Sequence, residues 1–315
     1  MKSLKIVFMG TPDFAVASLK NLVDNNYKVV GVITAPDRPA GRGQKLRASA
    51  VKEYAVSENL PVLQPTNLKS EDFLTELKAL EADLQIIVAF RMLPKVVWAM
   101  PKHGTFNLHA SLLPEYRGAA PINWAVINGE TVTGNTTFFI DEKIDTGAVI
   151  LQQKVSIANN TTAGSLHDEL MNQGANLVLE TVDLIESGKA TTTVQPEKEP
   201  KTAYKLDKEN TKINWIQEGQ VIHNLIRGLS PYPSSWCFLN NKGKQQKVKI
   251  LLADFEKTTI KNSKIGAISI EEKKLKVIVK DGYINILKMQ LPGKKAMEVK
   301  ALLNGYSFDE GSFFE

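Results

Sequence analysis

Asn107 and His109 stand two residues apart in Asn107-Leu108-His109-Ala110-Ser111-Leu112-Leu113-Pro114, which runs on into Glu115-Tyr116-Arg117-Gly118. This is the densest polar cluster in the chain. Residues 106–109 read as a short strand, and side chains on a strand alternate between its faces, so an amide and an imidazole share one side. In an open α/β sheet, ligands bind beyond the carboxyl ends of the strands. Asp145, in Asp145-Thr146-Gly147, falls in a turn between two further strand-like segments, from which it can approach the pair. The three suit acyl transfer to an amine. Asn107 can donate a hydrogen bond to a developing oxyanion. His109 can exchange a proton at neutral pH. Asp145 can orient the imidazole or collect the amine's proton through water. Each residue also has an ordinary reading: a satisfied structural histidine, an asparagine ending a strand, an aspartate in a turn. On residue type alone these ordinary readings are the commoner ones.

Other chemistries find less support. Gly10-Thr11-Pro12 follows the first strand-like run, but one glycine is not the G-x-G-x-x-G of a dinucleotide site. Gly41-Arg42-Gly43 is a basic loop rather than a phosphate cradle opening a helix. Four histidines, one cysteine and no H-e-x-x-H pattern leave no obvious ligand set, so no metal is expected.

The elements that must position the cluster follow a βαβ rhythm. Residues 5–9 read as a buried strand closed by Gly10. A helix follows from Pro12 to about residue 25, with Phe14, Leu19, Leu22 and Val23 on one face. Residues 29–33 and 84–89 read as strands, and 49–58 and 70–81 as helices. This order predicts a mostly parallel sheet with helices on both faces. Residues 135–140 and 148–157 read as neighbouring strands, and 165–185 as a long amphipathic helix. Residues 191–204, rich in threonine and charge with two prolines, read as a linker. Beyond it, a helix at about 214–226 precedes strand-like runs at 247–253, 265–270, 274–280 and 282–291, with Asp281-Gly282 as a hairpin signal. These predict a small β-barrel. The division expected is 1–188, a linker at 189–206, and 207–315.

A chain of 315 residues with 43% apolar and 23% charged residues is ordinary for a folded protein of two domains. Its longest apolar runs, such as residues 86–90, are far too short to cross a bilayer, and no signal peptide is legible at the start. The lone Cys237 can form no internal disulfide, which suits a reducing compartment, the cytoplasm. Charge is uneven. Residues 1–188 carry 17 Lys+Arg against 20 Asp+Glu, whereas 189–315 carry 22 against 14. Lys244, Lys247 and Lys249 cluster near one turn of the basic part. They can form a phosphate-binding face, or simply a solvated lysine surface, which is the commoner meaning of such a bias.

Taken together, residues 107–121, from Asn107-Leu108-His109 through Tyr116-Arg117-Gly118-Ala119-Ala120-Pro121, resemble the signature of the 10-formyltetrahydrofolate-dependent formyltransferases. Asp145-Thr146-Gly147 is similar to the second motif of that family. The resemblance spans nearly the whole chain. It starts at Ile6-Val7-Phe8-Met9-Gly10-Thr11-Pro12-Asp13-Phe14-Ala15 and takes in Asp37-Arg38-Pro39-Ala40-Gly41-Arg42-Gly43. In the second domain it includes Ile213-Asn214-Trp215, Arg227-Gly228-Leu229-Ser230-Pro231-Tyr232-Pro233, Pro292-Gly293-Lys294-Lys295 and Leu303-Asn304-Gly305.

The resemblance implies a Rossmann-like catalytic domain followed by an oligonucleotide-binding-like (OB-like) barrel. It implies formyl transfer from 10-formyltetrahydrofolate to the α-amino group of methionine on initiator tRNA, with Asn107, His109 and Asp145 as catalytic residues; a monomer is expected. It places Phe90, Arg91, Ser111, Leu112, Leu113, Pro114 and Asp141 at the folate. It also places the basic loop at 35–47, with Arg38, Arg42 and Lys45, at the tRNA acceptor end. The chain departs from the family in two places: Arg91 replaces a glycine after Ala89-Phe90, and Lys143-Ile144 replaces Gly-Leu before Asp145. A side chain in place of glycine requires a negative φ there. Three rivals remain: a formyltransferase acting on an amino-sugar nucleotide, a purine-pathway formyltransferase, and an RNA-binding module with a degenerate enzyme domain. The last is disfavoured by the intact trio, and the purine enzyme by the long basic C-terminal part.

Overall fold

A computed structural model describes residues 4–40, 45–197, 199–260 and 264–315. They divide into two compact units. One comprises residues up to Gly118 with Val132–Ser156 and His167–Thr202, and the other comprises Ala119–Thr131, Ile157–Leu166 and Ala203–Glu315. The second unit thus recruits two short segments from the first half of the chain, which a division read along the sequence does not contain.

The elements of the first 203 residues run β1 (Lys5–Gly10), α1 (Asp13–Asp24), β2 (Lys28–Ile33), β3 (Arg38–Ala40), β4 (Lys45–Arg47), α2 (Ala50–Ser57), β5 (Val62–Leu63), α3 (Glu71–Ala79) and β6 (Leu84–Val88). They continue through α4 (Lys95–Trp98), β7 (Thr105–His109), β8 (Arg117–Gly118), α5 (Pro121–Ile127), β9 (Val132–Phe139), β10 (Val149–Ser156), α6 (Ala163–Glu186) and β11 (Thr202–Ala203). The main sheet of the first unit has the order β10-β9-β7-β6-β1-β2-β5. β1, β2, β5, β6 and β7 are parallel; β9 pairs antiparallel with β7, and β10 antiparallel with β9. The expected Rossmann-like, mostly parallel sheet is therefore present.

The apolar runs explain the order. β1 and β6 are buried along almost every residue, as central parallel strands covered on both faces must be. The amphipathic α1 turns Phe14, Ala15, Leu19 and Leu22 inward, close to helical spacing. Gly10 permits the approach of helix to strand, because a Cβ there would stand 2.6 Å from the Ala15 Cβ. Ser49 caps α2 by accepting a hydrogen bond from the Lys52 amide at 3.1 Å. After β1 the chain builds outward through β2 to β5, then crosses back to β6 and β7. That reversal puts the switch point of the sheet beside β1.

The second unit holds α5 and continues through α7 (Gly219–Gly228), β12 (Ser235–Asn241), β13 (Lys244–Lys257), β14 (Ile268–Glu271), β15 (Lys274–Val279), β16 (Gly282–Gln290), β17 (Met297–Glu298), α8 (Val299–Leu302) and β18 (Phe313–Phe314). Its sheet has the order β14-β15-β16-β13-β12-β18 and is antiparallel. A bridge between Ala267 and Phe313 joins the last strand to the start of β14, so the sheet closes on itself as the expected small barrel. Two closing pieces, β12 and β18, are illegible from hydropathy runs: β12 alternates strictly and β18 is two residues long. The barrel interior is apolar and includes Cys237, Leu239, Val248, Ile250, Val277, Ile284 and Phe314. Burial pushes the Cys237 thiol well above its ordinary pKa, so it behaves as a core residue rather than a nucleophile. Arg227 is also buried and is satisfied by Asn224 Oδ1 at 2.9 Å and by the carbonyls of Ala158 and Thr161 at 3.2 and 3.1 Å.

Candidate active site

β7 carries Asn107 and His109 on one face at the carboxyl end of the parallel part of the sheet. At about 3.3 Å per residue they lie roughly 6.6 Å apart along the strand. Asn107 is half-buried, and its amide has no hydrogen-bond partner among the described residues. It is free to donate to an incoming oxygen. His109 is buried, and its Nε2 lies 2.9 Å from the Tyr116 carbonyl oxygen. A carbonyl can only accept, so Nε2 carries the hydrogen and the neutral ring presents the Nδ1 lone pair. Nδ1 faces Asp145 Oδ2 at 3.8 Å, which is an ion-pair distance rather than a hydrogen bond. A proton accepted at Nδ1 would therefore lie beside the Asp145 carboxylate. Asp145 Oδ2 in turn accepts from the Gly118 amide at 2.9 Å. The three expected catalytic residues thus come together in the first unit. What fixes the imidazole is the Tyr116 carbonyl, which motif reading did not reveal.

The loop after β7 is held from several sides. Ser111 is fully buried and donates to the Glu115 carbonyl at 2.6 Å. Thr136 Oγ1 accepts from the Leu113 amide at 3.1 Å and donates to the Ser111 carbonyl at 2.6 Å. Gln152 donates to the Leu113 carbonyl at 2.9 Å. Asp141 Oδ1 caps the Asp145 loop, accepting from the Lys143 amide at 2.9 Å and the Thr146 hydroxyl at 2.7 Å. Ser111 and Asp141 therefore spend these side-chain hydrogen bonds on loop shape. Leu112 lies against the neighbouring strand, its Cδ2 within 2.6 Å of where a Gly134 Cβ would stand, and Pro114 follows the buried Leu113. The two positions where glycine is replaced carry no positive φ. The left-handed residues are their neighbours, Ala89 at 48° and Asp145 at 55°, so Arg91, Lys143 and Ile144 fit their backbones without strain.

Arg91 borders two openings, and Phe90 one of them. A cavity of about 880 Å³ is lined by Arg91 with Leu68, Leu93, Trp98, Lys69 and Glu142 among others. A smaller one of about 300 Å³ includes Phe90, Arg91, Thr11, Arg38, Arg47 and Ser49. The larger has the size for an organic co-substrate such as a folate, and half of its lining side chains are polar or charged. Arg91 donates to the Thr66 carbonyl at 3.0 Å and to that of Pro65, pinning the loop before α3. The lining from 66 to 69 and from 92 to 98 carries no motif and was not anticipated from sequence.

The basic loop springs from a firm base. Asp37 takes a 2.7 Å ion pair from Lys52 and a 2.8 Å hydrogen bond from Gln64, which hold its carboxyl below the usual range. Arg38 and Arg47 face each other across the β3–β4 pair, and both are exposed. Arg42, and the side chain of Lys45, lie outside the described residues. In the second unit, Lys247 and Lys249 share the outer face of β13. Lys247 Nζ lies 3.5 Å from the centre of the Trp236 ring and Lys249 donates to the Pro233 carbonyl at 3.1 Å, while Lys244 is exposed at the strand's start. Among the described residues, no group of three or more His, Cys, Asp and Glu is placed to hold a metal, and no helix is long and apolar enough to cross a membrane.

Residues 4–182 match the family described as formyl transferase, and residues 205–307 match its C-terminal domain. The chain belongs to the formyl transferase family. Within it, the chain is 59% identical over 311 residues to the methionyl-tRNA formyltransferase of Flavobacterium johnsoniae, covering 98% of both chains. It is 53% identical over 313 residues to that of Parabacteroides distasonis, covering 97% of this chain and 96% of the relative. Among solved structures, the fold is similar to an N-formyltransferase from Helicobacter canadensis in complex with folinic acid and dTDP-3-aminofucose. The TM-score is 0.65 at 23% identity, over 90% of this chain and 98% of that one. It is also similar to HypX from Aquifex aeolicus in complex with tetrahydrofolic acid, at TM-score 0.65 and 18% identity, over 97% of this chain and 48% of that one.

Proposed function

We propose that this protein transfers the formyl group of 10-formyltetrahydrofolate to the α-amino group of methionine on initiator Met-tRNA, as a cytoplasmic monomer. The observation that carries the chemistry is the Asn107 amide, without a partner among the described residues, on the same strand as a histidine whose Nδ1 faces a carboxylate at 3.8 Å. The substrate follows from the two-domain likeness to methionyl-tRNA formyltransferases. The folate supplies the formyl group; Arg91 and the wall of the larger cavity have the size to hold it, with Phe90 on the smaller opening beside Arg91. Ser111, Leu112, Leu113, Pro114 and Asp141, which shape the loops after β7 and before Asp145, are proposed to complete the folate site. As the neutral amine attacks the formyl carbon, Asn107 donates to the oxygen that gains charge. The amine's proton passes to His109 Nδ1, beside Asp145, and from there to the departing nitrogen.

The deciding assay supplies 10-formyltetrahydrofolate with either initiator Met-tRNA or a dTDP-linked amino sugar. Formylation of the tRNA at a kcat/KM at least a hundred times that of the sugar is expected. The reverse preference would move the protein to the sugar branch of the family.

The basic loop with Arg38, Arg42 and Lys45 is proposed to meet the acceptor end of the tRNA, and the β13 lysines its backbone. Each phosphate neutralised steepens the fall of log affinity with log salt by about 0.7–0.9. Replacing Lys244, Lys247 and Lys249 by glutamine should weaken binding to every tRNA alike and flatten that slope by about 1–2. Lys249 also holds the Pro233 carbonyl, so part of its effect will be local. An unchanged slope in a salt titration would reduce these lysines to a solubilising surface.

A further inference from the structure

Gln195 lies in a segment whose composition reads as a linker, yet it is only 8% exposed. Its surroundings are polar and specific. Gln195 Oε1 accepts from Arg117 Nε at 3.2 Å and Nη2 at 2.6 Å. Its Nε2 donates to the carbonyl of Asp145 at 3.0 Å and to that of Gly147 at 2.8 Å. Arg117 can only donate, so the orientation of the amide is fixed: the oxygen faces the guanidinium and both N–H bonds face the Asp145 loop. The next residue after Arg117, Gly118, gives its amide to the Asp145 carboxylate at 2.9 Å. Asp145 is thus gripped twice, at its carboxylate by the backbone of β8 and at its own carbonyl through the Arg117–Gln195 pair. It needs the grip, because its φ of 55° is one that residues other than glycine seldom adopt. The segment itself is tied down by the Thr193–Val149 pairing on one side, and the Tyr116 amide donates to the Lys201 carbonyl at 2.6 Å on the other.

We propose that Gln195, held by Arg117, is a positioning residue that keeps the Asp145 carboxylate opposite His109 during formyl transfer. This rests on the reading of Asp145 as catalytic. Gln195 touches no reacting atom in this scheme and acts through the loop alone. Releasing its two bonds lets the strained Asp145 backbone relax, and a carboxylate displaced by about 1 Å can cost up to 100-fold in rate.

A double-mutant cycle tests it, with kcat and both KM values measured for formyl transfer to initiator Met-tRNA. Gln195→Leu should lower kcat about tenfold or more while leaving both KM values within about twofold. In an Asp145→Asn background, already slow, adding Gln195→Leu should change kcat by less than about twofold, because both substitutions remove one function. Should Gln195→Leu fail to fold, Gln195→Glu keeps the acceptor for Arg117 but loses both donated bonds, and the same two results are expected of it. A wild-type kcat in the folded variant, or losses that multiply in the double variant, would overturn the positioning role. A near-normal kcat in Asp145→Asn alone would instead overturn the catalytic reading of the trio.

Discussion

Replacing His109 or Asn107 by alanine should lower kcat for formyl transfer by roughly 100-fold or more, with the melting temperature and tRNA affinity little changed. The two losses have different physical origins. In the proposed scheme His109 takes the amine's proton, with Nε2 committed to the Tyr116 carbonyl at 2.9 Å and Nδ1 facing Asp145. Without it the proton must leave through water. Asn107 has no hydrogen-bond partner among the described residues, so its amide gives up no such bond when it turns to the developing oxyanion. The removal of one such donor costs about 2.7–4 kcal/mol of transition-state stabilisation elsewhere. Because neither group is asked to hold the ground state, KM should move by less than about threefold. Single-turnover rates on preformed complexes are the measurement. Near-wild-type rates in both variants would remove these residues from the chemistry.

Gly147→Ala should be the most damaging one-methyl change in the site. A Cβ at this position would stand 1.7 Å from the Phe139 carbonyl oxygen and 2.9 Å from its carbon. The obstacle cannot step aside. The Phe139 amide donates to the Ala148 carbonyl at 3.0 Å, the Ile140 amide to the Thr105 carbonyl at 2.9 Å, and Phe139 is in register with Phe106 on β7. The loop must move instead, taking with it the Gly147 carbonyl that Gln195 holds and, two residues back, Asp145. Overpacking of this kind typically costs about 1–3 kcal/mol. Urea unfolding should show that loss, and kcat should fall by about tenfold or more through Asp145. Gly305→Ala is the control, since no other atom lies within 4 Å of its added methyl. It should leave both quantities unchanged. Equal behaviour of the two variants would mean that the Asp145 loop is more compliant than its hydrogen bonds suggest.

What the amino-acid order determined by itself is the part written in local pattern. Mainly apolar segments such as Lys5–Gly10 and Leu84–Val88 suit central parallel strands buried on both faces, and the helical stripe of Asp13–Asp24 suits their cover. Period two placed Asn107 and His109 on one face, and a single motif with the right neighbours located Asp145. The three-dimensional path decided everything that depends on residues far apart along the chain. Barrel closure rests on a two-residue strand near the C-terminus meeting Ala267, a contact without a hydropathy signature. The tautomer of His109 is set by a backbone carbonyl seven residues on, and every residue carries a carbonyl, so composition holds no trace of it. Gln195 is the sharpest case. Its segment is polar and proline-broken, which locally argues for a solvated tether. The chain returns it to the edge of the sheet, where one amide can satisfy a guanidinium and two carbonyls at once. Burial of a polar side chain is paid for by partners, and partners 50 and 78 positions away are supplied by tertiary structure alone.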